Sequence, residues 1–129
     1  MKLADVAKIL GAEPAWGADR RDLWCREVSL CHGSDLISDM LSFRGSASLL
    51  LTGLTNAQVI RTAEILDFVA ICFVRGKEPQ PETVTLAKEK DVPLLVSPLS
   101  MYESCGRLHA EGLSAGAGRK VIADWQTDK

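Results

Sequence analysis

The sequence predicts an α/β fold, a three-layer sandwich with a mostly parallel or mixed central sheet, and three observations carry that prediction. Leu49, Leu50 and Leu51 form a continuous apolar run, as expected of a strand buried on both faces. Ala70 to Val74 forms a second such run. Between them Val59, Ile60, Ala63 and Leu66 recur at helical spacing with Arg61, Thr62 and Glu64 opposite, so one amphipathic crossover joins two parallel strands.

The remaining elements alternate in the same manner. Leu3, Val6, Ala7 and Leu10 predict a first helix ending at Gly11, followed by a short strand around Glu13 to Trp16 and a polar turn, Gly17 to Asp22. Arg26 to Cys31 reads as the next strand. Ser34 or Asp35 is expected to cap a helix with Leu36, Ile37, Met40 and Leu41 on its apolar face. In the central unit Gly53 suits the tight turn after the strand, and Thr55 with Gln58 matches a reciprocal capping box. A loop at Glu78 to Pro81, a helix from Glu82 to Lys90 and a strand from Leu94 to Val96 follow. Ser100 with Glu103 opens a last helix running to about Ala110. Residues 1–112 are therefore assigned to one α/β domain, and 113–129 to a glycine-rich link and C-terminal appendix packing on its own or a partner chain. Trp125 is the appendix residue expected to be buried.

Composition removes several classes of function. A chain of 129 residues with 47% hydrophobic and 25% charged content suits a single globular domain. A net charge of -2 and an aromatic content of 5% supply neither the basic footprint nor the stacking platforms of a nucleic-acid binder. The first helix resembles that of a helix-turn-helix only superficially, since no recognition helix follows at once and Arg20 and Arg21 are the only basic pair before Arg26. Lys2, Asp5 and Lys8 interrupt the first ten residues, so neither signal peptide nor membrane span is expected there, and the expected compartment is the cytoplasm.

Motifs of catalysis are equally sparse. GLSAGAGRK has the wrong spacing for a phosphate-binding P-loop, no G-x-G-x-x-G follows a strand, and no G-x-S-x-G elbow is found. A phosphoryl-accepting receiver is disfavoured because the Leu49–Leu51 strand ends in Thr52 and Gly53 rather than aspartate. The four cysteines, Cys25, Cys31, Cys72 and Cys105, lack Cys-x-x-Cys spacing and are expected to be reduced thiols. Cys105 and His109 share a helix face and Cys31 adjoins His32, but without paired ligand spacing no metal is expected, nor any cofactor. Cys31 beside His32 is the best candidate for a reactive thiol.

Ligands of open α/β sheets settle beyond the carboxyl ends of the strands. That rule selects a rim of Thr52 to Asn56, Arg75 to Lys77, Ser97 to Ser100 and His32 to Asp35. Within it Thr52, Gly53, Thr55, Asn56, Arg75, Ser97 and Ser100 are the candidate ligand-binding residues, for a phosphate or carboxylate held by Arg75 and the N–H groups at the start of the Asn56 helix. The competing reading is that Thr55 and Gln58 merely cap a helix and Arg75 is a solvated charge.

The order of elements, the turn and helix LLLTGLTNAQVIRTAEIL, the strand AICFVRG and the closing segment LLVSPLSMYESCGRL together resemble the DRTGG domain family, which is similar to the N-terminal domain of HPr kinase/phosphorylase. The resemblance spans about Lys2 to Gly112. Many members carry an acidic and a basic residue directly after the turn glycine, where this chain has Leu54 and Thr55. The resemblance implies a non-catalytic regulatory and dimerisation module. Its implied partners are a second copy of the chain, a small anionic ligand such as a nucleotide, and an electron-transfer or metabolic enzyme on which it docks. A symmetric pair would bury Trp125 or the residues around Met101 and Tyr102. The alternative from another class is a small enzyme or thiol-redox protein using Cys31 or the strand-end rim.

Overall fold

The structure, a computed structural model, describes residues 1–43 and 45–115. Eleven elements follow in order: α1 (Leu3–Leu10), β1 (Glu13–Pro14), α2 (Arg21–Trp24), β2 (Leu30–Gly33), α3 (Ile37–Met40), β3 (Ser48–Thr52), α4 (Gln58–Ile65), β4 (Ala70–Phe73), α5 (Pro81–Glu89), β5 (Leu94–Val96) and α6 (Met101–Ala110). The five-stranded sheet has the order β1-β5-β4-β3-β2. β2 to β5 are parallel, and β1 pairs antiparallel with β5 through Glu13 opposite Val96, so the sheet is mixed.

Alternation along the two middle strands builds both cores. Leu49 and Leu51 of β3 with Ala70 and Cys72 of β4 face a layer containing Leu3, Val6 and Leu10 of α1 and Leu108 of α6. Leu50, Ile71 and Phe73 face the opposite layer, against Met40 of α3, Val59, Ile60 and Ala63 of α4 and Ala87 of α5. The run of β3 is buried throughout because both of its faces are covered, which is why it carries no polar alternation. Since β2, β3, β4 and β5 advance across the sheet in one direction, right-handed crossovers must put α3, α4 and α5 on one face. The other face is left to α1 and α6.

Several local expectations are corrected. The strand expected at Arg26 to Cys31 is divided: Leu3 N–H bonds Arg26 O and Val28 N–H bonds Met1 O, and only from Leu30 does the chain join β3. The change of partner falls where Ser29 N–H and Leu30 N–H both donate to Ala47 O. Asp35 caps no helix; α3 is a single turn starting at Ile37, and Leu36 and Leu41 are largely exposed. The Thr55 and Gln58 capping box does not form. The Thr55 carbonyl is drawn to α5, accepting from Gln80 N–H at 3.1 Å and the Thr83 hydroxyl at 2.7 Å, and the Asn56 side-chain oxygen accepts from Gln58 N–H instead. At α6 half of the expected box is present: Ser100 Oγ accepts from Glu103 N–H, while the Glu103 carboxylate turns to Arg107 at 2.8 Å. Gly11 closes α1 in the left-handed conformation, as expected. Trp125 and the appendix from residue 116 onward lie outside the described residues.

Candidate functional site

The turns at the carboxyl ends of the strands are held by their own side chains. Thr52, fully buried, accepts from Leu54 N–H at 3.1 Å. Gly53 N–H donates to the Asp35 carboxylate, which reaches across from the end of β2. Ser97, also buried, donates to Leu10 O at 2.8 Å and accepts from Leu99 N–H, tying the end of β5 to α1. Thr55 and Asn56 serve α5 and α4 as described, and Ser100 opens α6. Of the candidate residues, therefore, Thr52, Thr55, Asn56, Ser97 and Ser100 all direct a polar atom to the backbone of the fold.

Gly53 and Arg75 are brought together. Arg75 takes a left-handed conformation, φ 59°, unusual for a residue with a side chain. It is pinned there by its own N–H donating to Leu99 O and the Gly76 N–H donating to Ser97 O, both at 2.7 Å. A Cβ built on Gly53 would lie 2.9 Å from the Arg75 guanidinium and 3.1 Å from the Asp35 carboxylate. Glycine is required at 53 by this close approach. The result is an exposed guanidinium over the β3 turn, with a carboxylate beside it and already bonded to the turn.

A second feature adjoins this rim, and rim geometry alone does not reveal it. Between β2 and α6 lies a cavity of about 530 Å³ whose lining includes Cys31, His32 and Gly33 of β2, Phe43, and Cys105 and Gly106 of α6. The Cys31 thiol is pushed up to about 12 by burial first and by its thiol neighbours Cys105 and Cys72 second, so it is protonated near neutral pH. Burial likewise raises the Cys105 thiol and pushes Cys72 up to about 12. The expectation that Cys31 is the reactive thiol is corrected: a nucleophile needs an electropositive, exposed setting. Cys31, His32, Cys105 and His109 do converge on this cavity, but among the described residues no group of three or more His, Cys, Asp or Glu is placed to hold a metal ion.

His32 is packed by aromatic rings. It stacks on Phe43 at 3.9 Å between centroids and 13° between planes, with Phe68 edge-on at 6.1 Å. Burial holds its imidazole below the ordinary value, so the ring is neutral at pH 7. An unfolded imidazole takes its proton near pH 6.5, and the folded one only at lower pH. Between those points the unfolded state binds more protons, and stability falls as pH falls. Thermal melts from pH 7 to pH 5 are expected to show this loss, with a slope of at most about 1.4 kcal/mol per pH unit, and His32→Phe is expected to remove that part of it.

No sequence-family model matches the chain, and no curated protein does. Among solved structures, the chain is similar to the CBS and DRTGG domains of the regulatory region of Clostridium perfringens pyrophosphatase, a complex with the activator diadenosine tetraphosphate, with a TM-score of 0.60 and 13% identity. The fold is DRTGG-like. The alignment covers 81% of this chain and 44% of that one, so the chain spans less than half the length of that regulatory region. At this identity the likeness is one of fold. No described helix is long and apolar enough to cross a membrane.

Proposed function

We propose that this DRTGG-like domain is a non-catalytic regulatory module that senses a small anionic ligand, a nucleotide, at the strand-end rim, and that it works as a homodimer docked on an enzyme partner. The observation that carries the reading is the placement of Arg75. Its guanidinium is exposed, its backbone is held in a costly conformation by two short hydrogen bonds, and it stands over a turn that only glycine fits. The likeness to a pyrophosphatase regulatory region complexed with diadenosine tetraphosphate supports a regulatory role and a nucleotide as ligand. The protonated thiols favour recognition over thiol chemistry.

Dimerisation belongs to the same reading. Tyr102 at the start of α6 is 89% exposed, and a symmetric contact through it and Met101 would remove a large apolar surface from water. The test is a melting series with ATP, diadenosine tetraphosphate and tripolyphosphate, since a ligand of the native state alone raises stability by about 2.7 kcal/mol at one hundred times its Kd. A concentration-dependent rise abolished in Arg75→Ala is expected. No rise with any of the three overturns the sensing role, and a purely monomeric mass by light scattering at micromolar protein overturns the dimer.

A further inference from the structure

We infer that the open edge of β2 and the cavity beside it are the docking site of the chain's own C-terminal segment, residues 116–125, with Val121, Ile122 and Trp125 packed into the cavity. The inference is independent of the rim and of Arg75. The cavity of about 530 Å³ reaches round the edge of the sheet: Phe43 belongs to the face covered by α3, α4 and α5, whereas Cys105 and Leu108 belong to the face covered by α1 and α6. A space that opens on both faces beyond the last strand has the shape that one further strand and its alternating side chains fill.

The two edges of the sheet differ in how they are protected. β1, at one edge, is two residues long and consists of Glu13 and Pro14, a charge and a residue without an N–H, both of which discourage pairing. β2, at the other, runs from Leu30 to Gly33 and has neither lysine nor proline. Along it the backbone bonds alternate in direction: Leu30 N–H and Ser34 N–H donate to Ala47 O and Leu51 O on the β3 side, and Cys31 N–H donates outward to Ser114 O at 2.9 Å. Gly33 N–H therefore also points outward. Gly33 is exposed, and no described residue accepts from its N–H there.

The course of the chain names what covers this edge. Ser114 is bridged to Leu30 in parallel and Ala115 lines the cavity, so residue 116 follows directly at the open part of the edge. Continuing this register sets residue 116 opposite His32, where its carbonyl accepts from Gly33 N–H. Ala115, Gly116, Ala117 and Gly118 bring too little side chain to fill the cavity, and glycine permits the bend that returns the chain to it. Val121, Ile122 and Trp125 then supply the apolar bulk, Trp125 the largest single face. The cavity matches them, since its lining holds no lysine, arginine, aspartate or glutamate among the described residues.

Nuclear magnetic resonance of the full chain tests this through the Gly33 amide and the Trp125 ring. In the wild-type protein Gly33 N–H is expected to exchange with solvent at least about tenfold more slowly than in Val121→Asp and in Trp125→Ala. Amides of β3, which is paired on both sides, are expected to keep their rates and so show that both variants fold. Nuclear Overhauser contacts from the Trp125 ring to Cys105 and Leu108 are expected within one chain. Equal Gly33 rates in all three proteins, fast or slow, or a Trp125 ring without these contacts, overturn the docking. A mixture of isotope-labelled and unlabelled chains separates the two sources of the segment: contacts found only between chains overturn docking within one chain and assign the cavity to the segment of a second copy.

Discussion

Phe73→Ala is expected to destabilise the protein by about 3–5 kcal/mol, the range for truncating a buried aromatic ring. Phe73 is fully buried on β4, between β3 and β5, and faces the layer of α3, α4 and α5. The cluster it belongs to draws on the layer of α3, α4 and α5 and on the neighbouring strands, so its void would open within a core built from several elements. The loss has two parts, the transfer of the ring from water and the cavity left behind. Urea unfolding measures it as a lower midpoint at unchanged slope. Because total stability of a domain is about 5–15 kcal/mol, the variant loses a large fraction of it. A cost below about 1 kcal/mol would show that the two-faced core is wrongly described.

Asp35→Ala is expected to cost about 1–3 kcal/mol, out of proportion to an exposed carboxylate on a loop. Its carboxylate accepts from Gly53 N–H, and Gly53 is buried, so alanine strands a backbone donor away from water. Surface charges without such a bond change stability by only about 0.5 kcal/mol. Asp35→Asn, which keeps an acceptor in place, is expected to recover much of the loss. Denaturant titration of both variants decides: equal, small effects would mean the bond contributes nothing, and a large loss confined to alanine would locate it at Gly53. The bond also fixes the spacing between the end of β2 and the β3 turn, and so between the cavity and Arg75.

The central unit was legible because its signals are local. Leu49 to Leu51 and Ala70 to Val74 are unbroken apolar runs, and the helix between them has one apolar stripe. Gly11 and Ser100 end and begin helices with chemistry contained within a few residues. The errors occur where a residue has two uses of similar energy and a distant partner decides. Asp35 is as good a helix cap as it is an acceptor for Gly53, and only the folded pairing of β2 with β3 brings Gly53 to it. Thr55 loses its box because the Asn56 side-chain oxygen takes the Gln58 N–H that the box would use, while α5 claims the Thr55 carbonyl. Val28 and Leu30 read as one strand although the chain changes partner between them. The strand-end rule names the rim from topology, but it says nothing of which side chains the turns will consume.

The cavity was legible only in fragments. Cys31 and His32 are adjacent in sequence and suggest thiol chemistry, whereas folding buries the thiol and packs the imidazole against Phe43 and Phe68, its Nε2 without a hydrogen-bond partner among the described residues. Phe43 and Gly106 join them only through tertiary structure.

The central claim is that a nucleotide is recognised at the strand-end rim through Arg75. Titration calorimetry of ATP into the full chain at low salt tests it most directly. Saturable binding in the wild-type protein, weakened at least about tenfold in a folded Arg75→Ala variant, is the predicted result. Binding of equal strength in both proteins, or none in either, would contradict it.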